Sequence, residues 1–309
     1  MAIAQQYGVT KGYLPLLKQV EELVLRYHNP PNYANSRVIV NIGAQDGFSR
    51  TLEMVLSPGD YVIVEEPTFC GALCVMRPLN VNFLGIKIDD QGNDPRTLKR
   101  GSFQNGILKK LGTLCQESPR TLKPRSSISI YLSQEFPESF LSIDTDGRVM
   151  RMDSFAKIIS SGFRIGYLTG PEPLVDKYIQ HSEMTMMHPS CLSQVVISEI
   201  LTKWSTEGFE NHVKDVRKLY SDRKEALNKA VKKHLSVLED TEEMIVKRAF
   251  KKELILMTGN PFMIDDKKPC PYLRLSYSFL PPEKFDEACR RTAELIREEV
   301  ELCAKNKKN

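Results

Sequence analysis

The chain has 309 residues, with 43 Lys and Arg against 39 Asp and Glu and a formal net charge of +4. Hydrophobic residues at 41% and charged ones at 27% support a sizeable core, and the length suggests about two domains. The charge excess is too small for the concentrated basic face of a nucleic-acid binder, and no apolar run approaches the roughly 20 residues that span a bilayer.

Residues 12–27 repeat Leu and Val at helical spacings and predict an amphipathic helix, ended by the paired prolines of HNPPNY. VIVNI at 38–42 predicts a short buried strand, followed by a turn at Gly43 and a helix over about 45–56. SPGD reads as a turn and YVIVEEP at 61–67 as a second strand, an order that suggests a βαβ unit. A further strand is expected at 81–88, with a turn at DDQGND. From about 99 to 140 the chain is basic and Ser-rich without a sustained period, and only 128–132 suggests a strand. Strands at 148–153 and 164–169 flank a loop that carries Lys157. Helices are then expected at 172–184, 191–204 and 208–234, short strands at 253–258 and 272–278, and a helix at 282–303. The seven scattered cysteines, an odd number, read as small buried hydrophobes in a reducing compartment, with no metal site. The opening MAIAQQYGVTKGY has neither a secretory apolar core nor Arg-rich transit character, so the chain reads as intracellular.

The most informative stretch is Asp153–Pro171, DSFAKIISSGFRIGYLTGP. Lys157 stands in a Ser-x-x-Lys arrangement, with Arg164 seven residues on and glycines at 162 and 166. Held in a crevice beside a cation, such a lysine has its neutral amine favoured and becomes a nucleophile toward an aldehyde. Ser154 and Arg164 offer a hydroxyl and a guanidinium to a phosphate group.

This stretch resembles the cofactor-lysine motif of the fold-type I, class I/II pyridoxal-phosphate aminotransferases, in the wording of their kynurenine/2-aminoadipate branch. QYGVTKGYLPLL, NIGAQDGFSRTLEMVLSPGDYVIVEEPTFCGAL, HPSCLSQVVISEIL, GNPFMIDD and PYLRLSYS extend the resemblance over most of the chain, except about 105–135 and 236–250. It implies an α/β fold with a mixed, mostly parallel sheet in a large cofactor-binding domain (33–206, interrupted near 105–140). Residues 1–32 and 207–309 would form a smaller α+β domain. It implies pyridoxal 5'-phosphate as cofactor, an L-amino acid donor resembling 2-aminoadipate or kynurenine, a 2-oxo acid acceptor such as 2-oxoglutarate, and a homodimer. Lys157 would bind the cofactor covalently and then move the proton of the 1,3-shift, while Ser154 and Arg164 hold the phosphate. Gly43, Ala44 and Gln45 would open a helix whose free N–H groups also face the phosphate; without the lysine loop an ordinary strand-to-helix turn would be the favoured reading. Ala44 has no hydroxyl to add. Phe69 would stack on the pyridine face, Arg274 would bind the substrate α-carboxylate (against the alternative of a salt-bridged strand arginine), and Tyr7 would stand near the active site.

Some family parts have no counterpart. No Asn-Pro-x-Gly turn lies between about 120 and 140, and no Asp-x-x-Tyr strand precedes Asp144. The Gly-Gly-x-Phe strands expected after His234 are absent, as is an arm before the first helix. The losses read as block deletions, and the missing pyridine aspartate leads to an expectation of severely reduced transamination by this chain. The alternative from another class is a non-catalytic cofactor-binding or subunit-partner protein. The compartment is expected to be cytoplasmic or mitochondrial.

Overall fold

The computed structural model describes residues 2–89, 92–93, 114–115, 139–235 and 240–306. The strand expected at 128–132 and most of the aperiodic stretch lie outside them. Two compact units result, one of residues 1–65 and 71–216, the other of 66–70 and 217–309.

In the first unit, α1 (Leu14–His28), β1 (Ser36–Asn41), α2 (Ala44–Val55) and β2 (Tyr61–Glu66) follow the expected order. Then come α3 (Cys70–Met76), β3 (Asn82–Asp89), β4 (Gly92–Asn93) and β5 (Leu114–Cys115). They lead to β6 (Met150–Ser154), β7 (Gly166–Pro171), α4 (Glu172–Thr185) and the long α5 (Cys191–His234), of which residues up to 216 belong to this unit. Ser205, at φ 55° and ψ −174°, breaks the helical backbone of α5, which accounts for the two helices expected at 191–204 and 208–234.

The expected βαβ unit is not formed as such. β1 lies in a four-stranded sheet of order β1-β7-β6-β5, whereas β2 pairs into a separate sheet of order β2-β3-β4. β1 runs antiparallel to β7, and β7 antiparallel to β6, while β5 and β6 are parallel. The sheets are therefore mixed, as the resemblance implies, but the parallel majority it also implies is not seen among the described pairings. A strand-helix-strand order specifies the succession of elements, not which distant strand becomes the neighbour.

Both faces of the larger sheet are covered. Val38 and Val40 face α1 (Leu16, Val20, Leu23, Val24) and α5 (Ile197, Leu201, Phe209, Val213). Ile39, on the opposite face, packs with Met150, Met152 and Leu168 against Val175, Tyr178 and Ile179 of α4. A strand buried on both sides reads as a continuous apolar run, as VIVNI does. α1 thus packs into the first unit. It ends at Asn29, whose left-handed backbone lets its N–H reach the carbonyls of Val24 and Leu25 before Pro30.

The register sets one edge of the sheet. Asn41 pairs with Gly166, and Gly166 with Ser154. The C-terminal ends of β1 and β6 and the start of β7 therefore lie on one rung. A Cβ at position 166 would stand 2.4 Å from Asp153 O and 2.8 Å from the Gly43 Cα. Only glycine lets the three backbones approach so closely.

In the second unit, α6 (Glu242–Arg248) and α7 (Phe285–Asn306) enclose Met244, Ile245, Leu254, Leu295 and Ile296. β8 (Met257–Thr258) pairs antiparallel with β9 (Leu273–Arg274). Both strands are shorter than the expected 253–258 and 272–278. Only Met257–Arg274 and Thr258–Leu273 are paired, so the ladder stops short of 253–256 and 275–278, and no residue type in those stretches explains why. Among the described cysteines, Cys191, Cys270 and Cys289 are buried as expected, but Cys74 is exposed and Cys70 half-buried on the short α3.

His28, at the end of α1, is mostly buried with its Nδ1 unpartnered. Burial, followed by the Arg151 cation, holds its pKa down at about 4 from an ordinary 6.5, with Asp153 opposing. A histidine kept neutral by the fold contributes stability that is full above about pH 6.5 and is lost as pH falls toward 4. Urea unfolding should show wild type losing about 2 kcal/mol more than His28→Gln between pH 7.5 and pH 5; parallel pH profiles for the two would refute this. Gly166→Ala should cost about 2–3 kcal/mol or more in the same assay at neutral pH, because the neighbours that would have to move are mostly backbone. Gly162→Ala, where a Cβ would meet only Ser160 Oγ at 3.7 Å, should cost far less; equal losses would sink the packing argument.

Candidate active site

Three chain segments meet at the rung of Asn41, Gly166 and Ser154. The first is the turn from β1 into α2. Asn41 is fully buried, and its Oδ1 accepts the Gly43 N–H at 3.1 Å. Gly43 has φ +93°, which an L side chain adopts only with strain. Ala44 and Gln45 follow as the first helical residues, and groups in a first turn have no carbonyl behind them to bond. The Gln45 side chain donates to Gly71 O at 3.1 Å, so this residue offers its backbone N–H rather than its amide.

The second segment is the lysine loop after β6. Ser154 Oγ accepts the Ala156 N–H at 3.1 Å. Phe155 O accepts the N–H groups of Ile158, Ile159 and Ser160 at 3.2, 2.8 and 3.2 Å, curling the loop around Lys157. Phe155 N–H donates in turn to Ile165 O at 3.1 Å, and its ring is buried. Lys157 itself is exposed among the described residues, not walled into the crevice expected from the sequence.

Arg164 forms the third segment. It takes a left-handed backbone (φ 52°), which turns the chain into β7. Its guanidinium lies over Gly43, with Nη2 3.2 Å from where a Cβ would stand, and makes only long contacts to Ser161 O (3.4 Å) and Ile42 O (3.5 Å). No ion pair is found for it among the described residues. An anion lying before α2 would meet this guanidinium and the helix N–H groups together. Asp46, in the same first turn, would repel such an anion. It is engaged by Arg50 Nε at 2.7 Å and by Tyr178 OH at 3.1 Å, and its partners lie on the sides of α2 and α4. Burial, then the Asp46 charge, pushes the Tyr178 phenol well above its usual range, so it stays a donor.

Gly43, Ala44, Gln45, Ser154, Lys157 and Arg164 are thus gathered at one sheet edge. Tyr7 belongs to the same unit but stands elsewhere in its contacts, edge-on to His188 at 6.0 Å and mostly exposed, while Gly8 N–H bonds His188 Nε2. Phe69 and Arg274 belong to the second unit. There the segment of Phe69 is fixed by Thr68 N–H to Phe262 O at 2.8 Å and by Ile264 N–H to the Glu66 carboxylate at 3.0 Å. Arg274 has no ion pair among the described residues. Its guanidinium lies 5.4 Å from the Phe262 ring centre, so the salt-bridged alternative is not what holds it.

Sequence reasoning missed Asn41, Asp46, Arg50, Tyr178 and Phe262 as shapers of these groups. Only the i,i+4 spacing of Asp46 and Arg50 carried a signal. The positions where the pyridine aspartate and the Asn-Pro-x-Gly turn were sought lie almost wholly outside the described residues.

No model of a protein family matches the chain. It is 32% identical to the mitochondrial kynurenine/alpha-aminoadipate aminotransferase of Bos taurus, over 97% of this chain and 84% of that one. The Rattus norvegicus protein of the same name is 31% identical, over 96% and 83%. The Bos taurus alignment runs over 364 positions, more than the chain's 309 residues, so the relative has residues opposite gaps here. Among solved structures, Pyrococcus horikoshii kynurenine aminotransferase matches with a TM-score of 0.83 at 22% identity, over 97% of this chain and 84% of that one. The alpha-aminoadipate aminotransferase LysN of Thermus thermophilus matches with a TM-score of 0.81 at 20% identity, over 97% and 85%. The expectation of severely reduced activity and the non-catalytic alternative draw no support from these relatives, each named for a transferase. The fold and the curated relatives agree: the chain belongs to the kynurenine/alpha-aminoadipate aminotransferase family and is an aminotransferase.

Proposed function

We propose that this chain is a pyridoxal 5'-phosphate-dependent transaminase that moves an amino group from an L-amino acid resembling 2-aminoadipate or kynurenine to a 2-oxo acid such as 2-oxoglutarate. The carrying observation is the convergence of the Gly43 turn, Arg164 and the Lys157 loop on one sheet edge. The residues fit the cofactor: a glycine cradle that a Cβ would fill, first-turn N–H groups and an exposed guanidinium suit a phosphate, and an amine stands in the adjoining loop. Pyridoxal phosphate, when bound, supplies the aldehyde and the electron-accepting ring on which amino-group exchange depends.

The chain's own residues have separate tasks. Arg164 and the N–H groups of Ala44 and Gln45 bind the phosphate, with Ser154 adding a hydroxyl. Lys157 supplies the amine that attaches the cofactor and that carries a proton during exchange. Phe69 offers an aromatic face to the ring, Arg274 a planar fork to the α-carboxylate, and Tyr7 an aromatic near the substrate. Phe262 steadies Arg274. The exposed Tyr7, Met184 and Met187 of the first unit support the reading of a homodimer. The names of the mammalian relatives support a mitochondrial location, with the cytoplasm as the other compartment.

Purified protein supplied with pyridoxal phosphate, L-2-aminoadipate or L-kynurenine, and 2-oxoglutarate should form glutamate. Lys157→Ala should abolish turnover, and Arg274→Gln should raise KM for the amino acid by about tenfold or more, the scale of a lost charge-assisted pair. Absence of glutamate in wild type, or undiminished turnover in Lys157→Ala, would overturn the reading.

A further inference from the structure

The carbonyl of Ile158, next to Lys157, is engaged from outside its loop. His212 Nε2 lies 2.7 Å from Ile158 O. A carbonyl can only accept, so Nε2 carries the proton and donates. The His212 ring is stacked on Trp204, with ring centres 4.4 Å apart and 28° between planes. Trp204, Gly208 and His212 follow at four-residue steps along α5, and a Cβ at Gly208 would stand 3.1 Å from the Trp204 Cβ. A small residue between the two rings leaves space for the stack. The backbone break at Ser205 falls just after Trp204. The segment beyond it is pinned to α1 by Arg26 to Thr206 at 3.0 Å and by Tyr27 OH to Glu210. The imidazole therefore stands on a fixed platform, with one ring face covered and its donor aimed at the lysine loop.

We propose that His212, oriented by Trp204, is the positioning residue that holds the Lys157 loop in place. The proposal rests on the reading of Lys157 as the cofactor-binding lysine for its functional meaning, but the anchoring is a property of the protein before any cofactor binds. Within the loop, every described backbone bond of Ile158, Ile159 and Ser160 N–H runs to the single acceptor Phe155 O. The His212 bond is a polar tie from another element, added to the packing of Ile158 and Ile159 against the core. Releasing it frees the segment on which the Lys157 amine is carried, while the phosphate-binding groups of Gly43 and Arg164 stay in place.

Hydrogen exchange of the cofactor-free protein tests the anchor directly. His212→Phe keeps a ring for Trp204 and removes the donor. The amides of Ile158, Ile159 and Ser160 should then exchange about five- to tenfold faster, the scale of one hydrogen bond, with Leu168 in β7 unchanged. His212→Gln, which carries an N–H at a similar reach, should restore most of the protection. Trp204→Leu should loosen the same amides to a smaller degree and guards against a His212→Phe chain that fails to fold. Pyridoxal phosphate added to each should be released about five- to tenfold faster from His212→Phe than from wild type or His212→Gln. Unchanged exchange at 158–160, an equal rise at Leu168, or identical behaviour of the Phe and Gln variants would overturn the proposal. Faster exchange at 158–160 in His212→Phe, with a wild type that takes up no cofactor, would uphold the anchor while removing the function proposed for Lys157.

Discussion

The site depends on how closely three backbones pass at Gly166. β7 lies between β1 and β6, and their shared rung places Asn41, Gly166 and Ser154 side by side. A side chain at 166 would collide with the carbonyl of Asp153 and with the Gly43 Cα. Glycine costs conformational entropy in a strand, on the order of 1 kcal/mol, and the packing of both sheet faces offsets it. What that close approach gains is coincidence. The turn that opens α2, the loop of Lys157 and the bend of Arg164 all leave the sheet at the same edge.

Electrostatics at that edge follow from the same placement. The first turn of α2 points unpaired N–H groups outward, and Arg164 adds a full charge above Gly43. Asp46, the one carboxylate in that turn, is taken up by Arg50 and Tyr178. An anion placed there would meet backbone N–H groups and one guanidinium, without a hydroxyl from position 44. The lysine loop beside it takes its shape from Phe155, whose ring is buried, whose carbonyl gathers three N–H groups, and whose N–H ties back to Ile165.

Much of this was legible in the sequence where the signal is local. The leucine spacing of 14–28 and the apolar run VIVNI are period and burial written in residue order. The lysine loop was legible as a motif, and its neighbours Ser154 and Arg164 came with it. The partnership of β1 with β7 was not, because the pairing residues lie more than a hundred positions apart and an apolar run buried on both faces has no preference for one partner. Asn41, Phe262 and the Trp204–His212 stack were missed for a similar reason: each acts through a contact that no spacing announces. β8 and β9 were overestimated because apolar alternation at 253–258 and 272–278 does not say how many of those residues find a ladder partner, and only two pairs form.

The central claim is that Lys157 is set apart from the chain's other lysines by its place at this edge. Reducing the pyridoxal-phosphate-loaded wild-type protein with borohydride, digesting it and mapping the modified peptides by mass spectrometry tests that claim most directly. The account predicts a single pyridoxyl-bearing peptide, the one containing Lys157. Label on a different lysine, or spread over many surface lysines with Lys157 unmodified, would contradict it.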